Sequence, residues 1–206
     1  MTRFYAASAA TLVCALLAGT AWFALVGRSD DPFSDCRSSA IAGGSGDIGG
    51  PFTLVDQTGA TVTDQQVFSK PALVYFGFSF CPDVCPVDNA RNAEAVDILE
   101  EQGYDVTPVF ITVDPGRDTS QVMADYVANM HPRMIGLTGS LEQTKAAADA
   151  YRVYFKLSED RRGEYDVDHS TFTYLVLPQK GFAEFFRREV TADQIATKVA
   201  CFLGKT

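Results

Sequence analysis

Hydrophobic positions along the chain fall into short continuous runs and helix-like stripes from Pro51 onward. Residues 52–55 and 60–63 are strand-like and flank the turn sequence DQTG at 56–59, which predicts a β-hairpin. Continuous apolar runs at 72–76 and 106–113 are typical of strands buried on both faces. Between them, residues 87–102 carry apolar side chains at helical spacing and end before Gly103, which predicts a helix.

The second half of the domain continues this alternation of strands and helices. We predict helices at 119–129, 141–150 and 191–203, the last with Thr191 as its N-cap, and strands at 135–137, 151–157, 172–177 and 182–186. This order is typical of an α/β domain, with a mixed central sheet flanked by helices after an N-terminal β-hairpin. A thioredoxin-like fold is consistent with this order of strands and helices.

The N-terminal part has a different character. Residues 6–26 contain no charged side chain, and as a helix these 21 residues extend about 31 Å, enough for a bilayer core of ~30 Å. Bulky residues at 22–26 stand where a signal peptide would carry a small-residue cleavage site, which favours an uncleaved anchor. We therefore predict one transmembrane helix within residues 1–28, a flexible linker at 29–50 and a single domain at 51–206.

The charge balance limits the class of partner. Acidic residues number 26 and basic residues 17, giving a formal charge of −9. Nucleic-acid binding depends on neutralising phosphates with Lys and Arg. The sequence has no basic cluster for that purpose, so nucleic acid is not an expected partner.

Cys81 and Cys85 form the one closely spaced cysteine pair, between a predicted strand and the helix that follows. A helix N-terminus favours thiolates, and Pro82 and Pro86 stiffen the turn. Thioredoxin-type redox pairs are separated by two residues, whereas three separate this pair. Two soft thiolates suit Cu(I). The alternatives are a local disulfide or two buried thiols.

His169 precedes the predicted strand at 172–177, so its imidazole could reach the cysteine turn at the sheet edge. Asp168 and Asp166 are candidate acceptors for the second ring N–H, since a metal-bound histidine usually donates it to such a group. The alternative is a hydrogen-bonded loop histidine. The other histidine, His131, is predicted to be a surface loop residue.

Of the other three cysteines, Cys14 lies within the predicted anchor, where it is interpreted as a small apolar residue, while Cys36 lies in the linker and Cys201 near the C-terminus. A disulfide between Cys36 and Cys201 would tie the linker to the closing helix. Two free thiols are the alternative.

Four segments of the sequence resemble the Sco/SenC family. They are YFGFSFCPDVCP at 75–86, FITVDPGRDT at 110–119, IGLTG at 135–139 and VDHSTF at 167–172. The segments keep the family order, and the resemblance extends over about residues 51–203. Gly116 departs from the pattern, because an acidic residue is common there, while Asp114 and Arg117 match.

The resemblance implies a thioredoxin fold that binds one copper ion, Cu(I) or Cu(II), through Cys81, Cys85 and His169. It also implies a function as copper metallochaperone for the binuclear site in subunit II of cytochrome c oxidase. The protein would then lie in a bacterial inner membrane with its domain in the periplasm, and other periplasmic copper carriers would be partners. The alternative is a thiol–disulfide reductase in which Cys81 and Cys85 keep the acceptor cysteines reduced.

Overall fold

The structure, a computed structural model, describes residues 13, 15–20, 22, 32–37, 48–158, 160 and 165–206. The chain divides into two compact units, Met1–Asp35 and Cys36–Thr206. In the first unit, residues 15–20 are helical. Within the described part of the chain, no helix is both long enough and apolar enough to span a bilayer. Much of the anchor predicted at 1–28, Cys14 included, and of the linker predicted at 29–50 lies outside the described residues.

The described residues of the second unit form nine strands and five helices. The strands are β1 Thr53–Asp56, β2 Thr61–Thr63, β3 Ala72–Gly77, β4 Thr107–Thr112, β5 Ile135–Thr138, β6 Phe155–Leu157, β7 Val167–His169, β8 Thr173–Leu177 and β9 Gly181–Phe186. The helices are α1 Asp64–Val67, α2 Val84–Glu101, α3 Ser120–Met130, α4 Leu141–Ala150 and α5 Ala192–Leu203.

Seven strands form one mixed sheet in the order β2-β1-β5-β4-β3-β8-β9. Strand β4 lies parallel to both β3 and β5, whereas β8 pairs antiparallel with β3 and with β9. The hairpin β1–β2 extends the sheet through an antiparallel pairing of β1 with β5. This architecture confirms the predicted α/β fold with a mixed sheet.

Strand β3 lies inside the sheet and positions the cysteine turn. All six of its residues are buried, which agrees with the continuous apolar run in the sequence. The strand ends at Gly77, opposite Thr112 of β4. The chain leaving β3 therefore emerges at the carboxyl ends of two parallel strands, the edge at which sites in such sheets form.

The predicted elements differ from the structure in several places, among them helix α1, which was not predicted, and the strand predicted at 151–157, which begins only at Phe155. Strand β7 was not predicted, because it has three residues, of which only Val167 is apolar, and it pairs only with the short β6. Helix α2 begins at Val84, inside the cysteine pair rather than after it. His131 was predicted at the surface but is buried: it ends α3, and its Nε2 lies 3.1 Å from Asp97 Oδ1.

The structure joins Cys36 and Cys201 by a disulfide bond, with 5.7 Å between their Cα atoms. Lys198 on the same helix donates from Nζ to the carbonyl of Cys36 at 3.3 Å. The segment that contains Cys36 is therefore held against α5 by a covalent bond and a hydrogen bond.

Candidate metal centre

The two cysteines lie in the first turn after β3. The amide of Cys81 donates to the carbonyl of Phe78 at 3.2 Å, which closes a tight turn. The amide of Cys85 then points at the Cys81 sulfur, 3.4 Å away, as expected at the start of a helix where backbone N–H groups lack helical partners. The four-residue spacing thus brings both sulfurs to the same side of the turn.

The ligand atoms of Cys81, Cys85 and His169 lie within 4.8 Å of one another. Cys85 Sγ and His169 Nε2 lie 3.3 Å apart. Both cysteines have free thiols. The predicted histidine therefore does lie at the cysteine turn, carried there by the β6–β7 ribbon, in which His169 pairs with Phe155.

Backbone contacts fix which imidazole nitrogen faces the sulfurs. His169 Nδ1 lies 2.9 Å from the carbonyl oxygen of Ser170, so Nδ1–H donates there and the Nε2 lone pair faces Cys85. Ser170 is itself held by Tyr154, whose carbonyl accepts from the Ser170 amide at 2.9 Å. The Ser170 carbonyl thus takes the role that the sequence assigned to Asp168, and Asp168 is exposed on β7. Burial lowers the pKa of His169, which keeps the ring neutral and able to bind a metal.

Two aromatic rings enclose the imidazole. Tyr75 and Phe78 meet it edge to face, with ring centroids 6.2 and 5.8 Å from that of His169. Both rings are buried. The imidazole is therefore restrained by packing as well as by its hydrogen bond.

Burial dominates the electrostatics of Cys85. Its side chain is fully buried, whereas Cys81 retains 9% of its exposure. The sequence predicted a thiolate-favouring environment at this helix N-terminus, but burial raises the pKa of Cys85 well above that of an ordinary cysteine. In the metal-free protein, Cys85 is therefore a thiol, and its sulfur lies 3.3 Å from Nε2 of the imidazole. A metal ion would replace the thiol proton.

The cysteine turn is attached to the next loop through Asp118. The carboxylate of Asp118 is completely buried and accepts from the amide of Ser79 at 3.0 Å, the hydroxyl of Ser79 at 2.5 Å and the hydroxyl of Thr112 at 2.5 Å. The backbone carbonyl of Asp118 accepts from Thr138 at 2.6 Å. Asp118 thus joins three segments of the chain, one of which reaches it through Ser79, two residues before Cys81.

Arg117 covers the outer side of the turn. Its guanidinium lies 3.6 Å from the ring centroid of Tyr165 and 5.0 Å from that of Phe80, and Nε donates to Asp114 at 2.5 Å. Tyr165 donates to the same carboxylate at 2.9 Å. The sequence marked Asp114 and Arg117 only through the 110–119 segment, since nothing local links them to the cysteines.

A family model described as SCO1/SenC matches residues 42–204, most of the chain. The chain belongs to the SCO1/SenC family. Protein SenC of Rhodobacter capsulatus is 51% identical over 199 residues, which cover 96% of this chain and 90% of SenC. Protein SCO1 homolog 1, mitochondrial, of Arabidopsis thaliana is 44% identical over 157 residues, covering 76% of this chain but 47% of that longer protein.

Solved structures share this fold. The crystal structure of Arabidopsis thaliana ScoI with copper bound matches with a TM-score of 0.74 and 42% identity, over 77% of this chain and 99% of that one. BsSco, described as a member of the Sco family of cytochrome c oxidase assembly proteins, matches with a TM-score of 0.62 and 24% identity, over 79% of this chain and 97% of that one. The latter likeness shows the fold alone.

Proposed function

We propose that this protein is a copper metallochaperone that holds one copper ion between Cys81, Cys85 and His169. In this proposal it delivers the ion to the binuclear copper site of cytochrome c oxidase subunit II. The observation that carries the proposal is the convergence of two sulfurs and one imidazole nitrogen within 4.8 Å. Soft thiolates and an imidazole are the donor set that copper prefers.

The geometry indicates how the ion would be held and released. Nε2 of His169 is unprotonated and faces the sulfur of Cys85, so this ligand is ready before copper arrives. Each thiol that binds copper loses its proton. Three protein donors leave one side of the ion open, and Cys81 is the more accessible of the two cysteines. A cysteine of the acceptor could enter there and take the ion by ligand exchange.

The comparisons support the copper-binding part of this proposal. The Arabidopsis ScoI structure contains copper and is 42% identical to this chain. We also propose that residues 1–28 anchor the protein in a bacterial inner membrane, with the domain in the periplasm, where other copper carriers would supply the ion. The Cys36–Cys201 disulfide agrees with an oxidising compartment.

The direct test is copper binding by the full chain in detergent, compared with two histidine variants. We expect the wild type to bind one equivalent of copper. His169→Ala should lose Cu(II) affinity and the wild-type spectrum, because the site loses its only nitrogen donor. His131→Ala removes a buried histidine that contacts Asp97 instead, so it serves as the matched control. An unchanged affinity and spectrum for His169→Ala would remove this residue from the site.

A second function rests on the free thiols of Cys81 and Cys85, whose sulfurs lie close enough to form a disulfide after small movements. The protein would then reduce the oxidised cysteines of the acceptor site and itself become oxidised. A thiol–disulfide reductase should exchange rapidly with an oxidised acceptor peptide and have a strongly reducing pair. Slow exchange together with tight copper binding would favour the metallochaperone. The raised pKa of Cys85 opposes its use as a nucleophile.

A further inference from the structure

Three segments of the chain meet around the guanidinium of Arg117. Its Cζ lies 3.6 Å from the ring centroid of Tyr165 and 5.0 Å from that of Phe80. Phe80 directly precedes Cys81 in the chain, and Tyr165 precedes His169 by four residues. The guanidinium therefore contacts both the segment that carries the cysteines and the segment that carries the histidine.

Two further side chains connect this arginine to the site. The buried ring of Phe78 has its centroid 5.5 Å from Cζ of Arg117 and 5.8 Å from the ring centroid of His169, so it packs against both side chains. The carboxylate of Asp114 accepts from Nε of Arg117 through Oδ2 at 2.5 Å and from the hydroxyl of Tyr165 through Oδ1 at 2.9 Å. One carboxylate thus holds the arginine and the tyrosine in their stacked arrangement.

Hydrogen bonds offset only part of the cost of burying this guanidinium. The Arg117 side chain retains 16% exposure, and within the described part of the chain its Nη2 is buried without a hydrogen-bond partner. A buried polar group in that state is unfavourable. The aromatic rings compensate, because a guanidinium is planar, stacks on ring faces and is more weakly hydrated than an ammonium group. A lysine would have the same charge without the planar shape.

We propose that Arg117 is a positioning residue for copper: by stacking on Tyr165 and contacting Phe80, it holds the segment that carries His169 against the cysteine turn. This inference deepens the proposed copper-binding function and rests on it. The two thiolates are soft ligands that suit Cu(I), whereas Cu(II) depends more on the imidazole. Loosening the stack should therefore weaken Cu(II) binding more than Cu(I) binding. A general loss of stability would weaken both alike.

The test compares four variants of the full chain in detergent. Arg117→Lys keeps the charge and removes the planar stack, while Tyr165→Leu keeps an apolar side chain and removes the ring. Tyr165→Phe keeps the ring and removes only the hydroxyl. Arg133→Lys is the matched control, because this arginine pairs with the carboxylates of Glu100 and Asp105.

Three measurements separate positioning from stability. Competition with chelators gives the Cu(II) and Cu(I) affinities of each variant. Equilibrium urea unfolding gives the free energy of unfolding of the copper-free protein. Amide hydrogen exchange across residues 165–170 of the copper-free protein reports how often the histidine segment opens, without any copper in the sample.

We expect Arg117→Lys and Tyr165→Leu to lower Cu(II) affinity by about tenfold, the factor that one partly desolvated cation–π contact contributes, and Cu(I) affinity by less than about threefold. Exchange across residues 165–170 should become about tenfold faster in both variants, for the same loss of contact energy. Tyr165→Phe and Arg133→Lys should stay close to the wild type.

Three results would overturn the inference while leaving the proposed function intact. They are an unchanged Cu(II) affinity in Arg117→Lys, equal losses of Cu(I) and Cu(II) affinity in that variant, and a loss in Tyr165→Phe as large as in Tyr165→Leu. A wild type that binds no copper would overturn the inference together with the proposed function.

Discussion

Replacing Gly77 with alanine would place a methyl group in the space beside the Cys85 sulfur. A Cβ at position 77 would lie 2.9 Å from Cys85 Sγ, 3.0 Å from Phe110 Cε2 and 3.0 Å from Tyr75 Cε1. Ordinary contacts between such atoms are about 3.5–4.0 Å, so the neighbours must move by about 0.5–1 Å. All three neighbours are fully buried, which leaves them little room to do so.

Two quantities should change in Gly77→Ala. Overpacking of a tight core costs about 1–3 kcal/mol, so the free energy of unfolding of the metal-free protein should fall by that amount. Ligand atoms must be held within about 0.5 Å of their working geometry, so Cu(I) affinity should also fall, by about tenfold or more. Equilibrium urea unfolding measures the first quantity, and competition with a Cu(I) chelator measures the second.

Gly136→Ala is the control for a general loss of stability. A Cβ at position 136 would meet Val127 Cγ1 at 2.8 Å and Met123 Cε at 3.2 Å, on the β5–α3 side of the core. This variant should lose comparable stability and keep its copper affinity. A Gly77→Ala protein with wild-type stability and affinity, or equal affinity losses in both variants, would refute the reasoning.

Three further outcomes follow from the structure. Replacing both Cys36 and Cys201 with serine should lower the free energy of unfolding by about 3–5 kcal/mol, because their disulfide closes a loop over a sequence separation of 165. Equilibrium urea unfolding measures this change, and a loss under about 1 kcal/mol would contradict the prediction. Asp118→Ala should cost about 2–4 kcal/mol by the same measurement, since it leaves buried donors of Ser79 and Thr112 without their acceptor, and wild-type stability would count against that account. Burial raises the pKa of Cys85, and this thiol must release its proton to bind Cu(I), so Cu(I) affinity should rise by about tenfold per pH unit for that proton. The rise should continue above pH ~8.5, where the contribution of an ordinary cysteine levels off. An affinity that reaches a plateau at that pH would contradict the assignment of Cys85 as a buried thiol.

The local pattern of apolar and polar residues was sufficient to predict most of the sheet. The run that became β3 is apolar at nearly every position, and a strand with both faces buried requires that composition. Strand β7 could not be predicted in this way, because only Val167 of its three residues packs in the core and the strand pairs with β6 alone. A strand of three residues with one apolar position is too short to show a strand pattern in the sequence.

The candidate ligands were visible in the sequence, but their surroundings were not. Cys81 and Cys85 are close together in the chain and of a type that binds soft metals, and His169 is one of only two histidines. The partners of these ligands come from distant segments: Asp118 holds the turn through Ser79, and the Ser170 carbonyl orients the imidazole. A backbone carbonyl has no sequence signature, so the acidic Asp168 beside the histidine was assigned to that role.

The central claim is that one copper ion bonds to Cys81, Cys85 and His169 together. Copper X-ray absorption on the Cu(I)-loaded full chain, with the wild type compared with His169→Ala, tests it most directly. We expect two sulfur donors and one nitrogen donor in the wild type, and loss of the imidazole scattering in the variant with both sulfur donors retained. Imidazole scattering that persists in His169→Ala, or a wild-type ion with fewer than two sulfur donors, would contradict the claim.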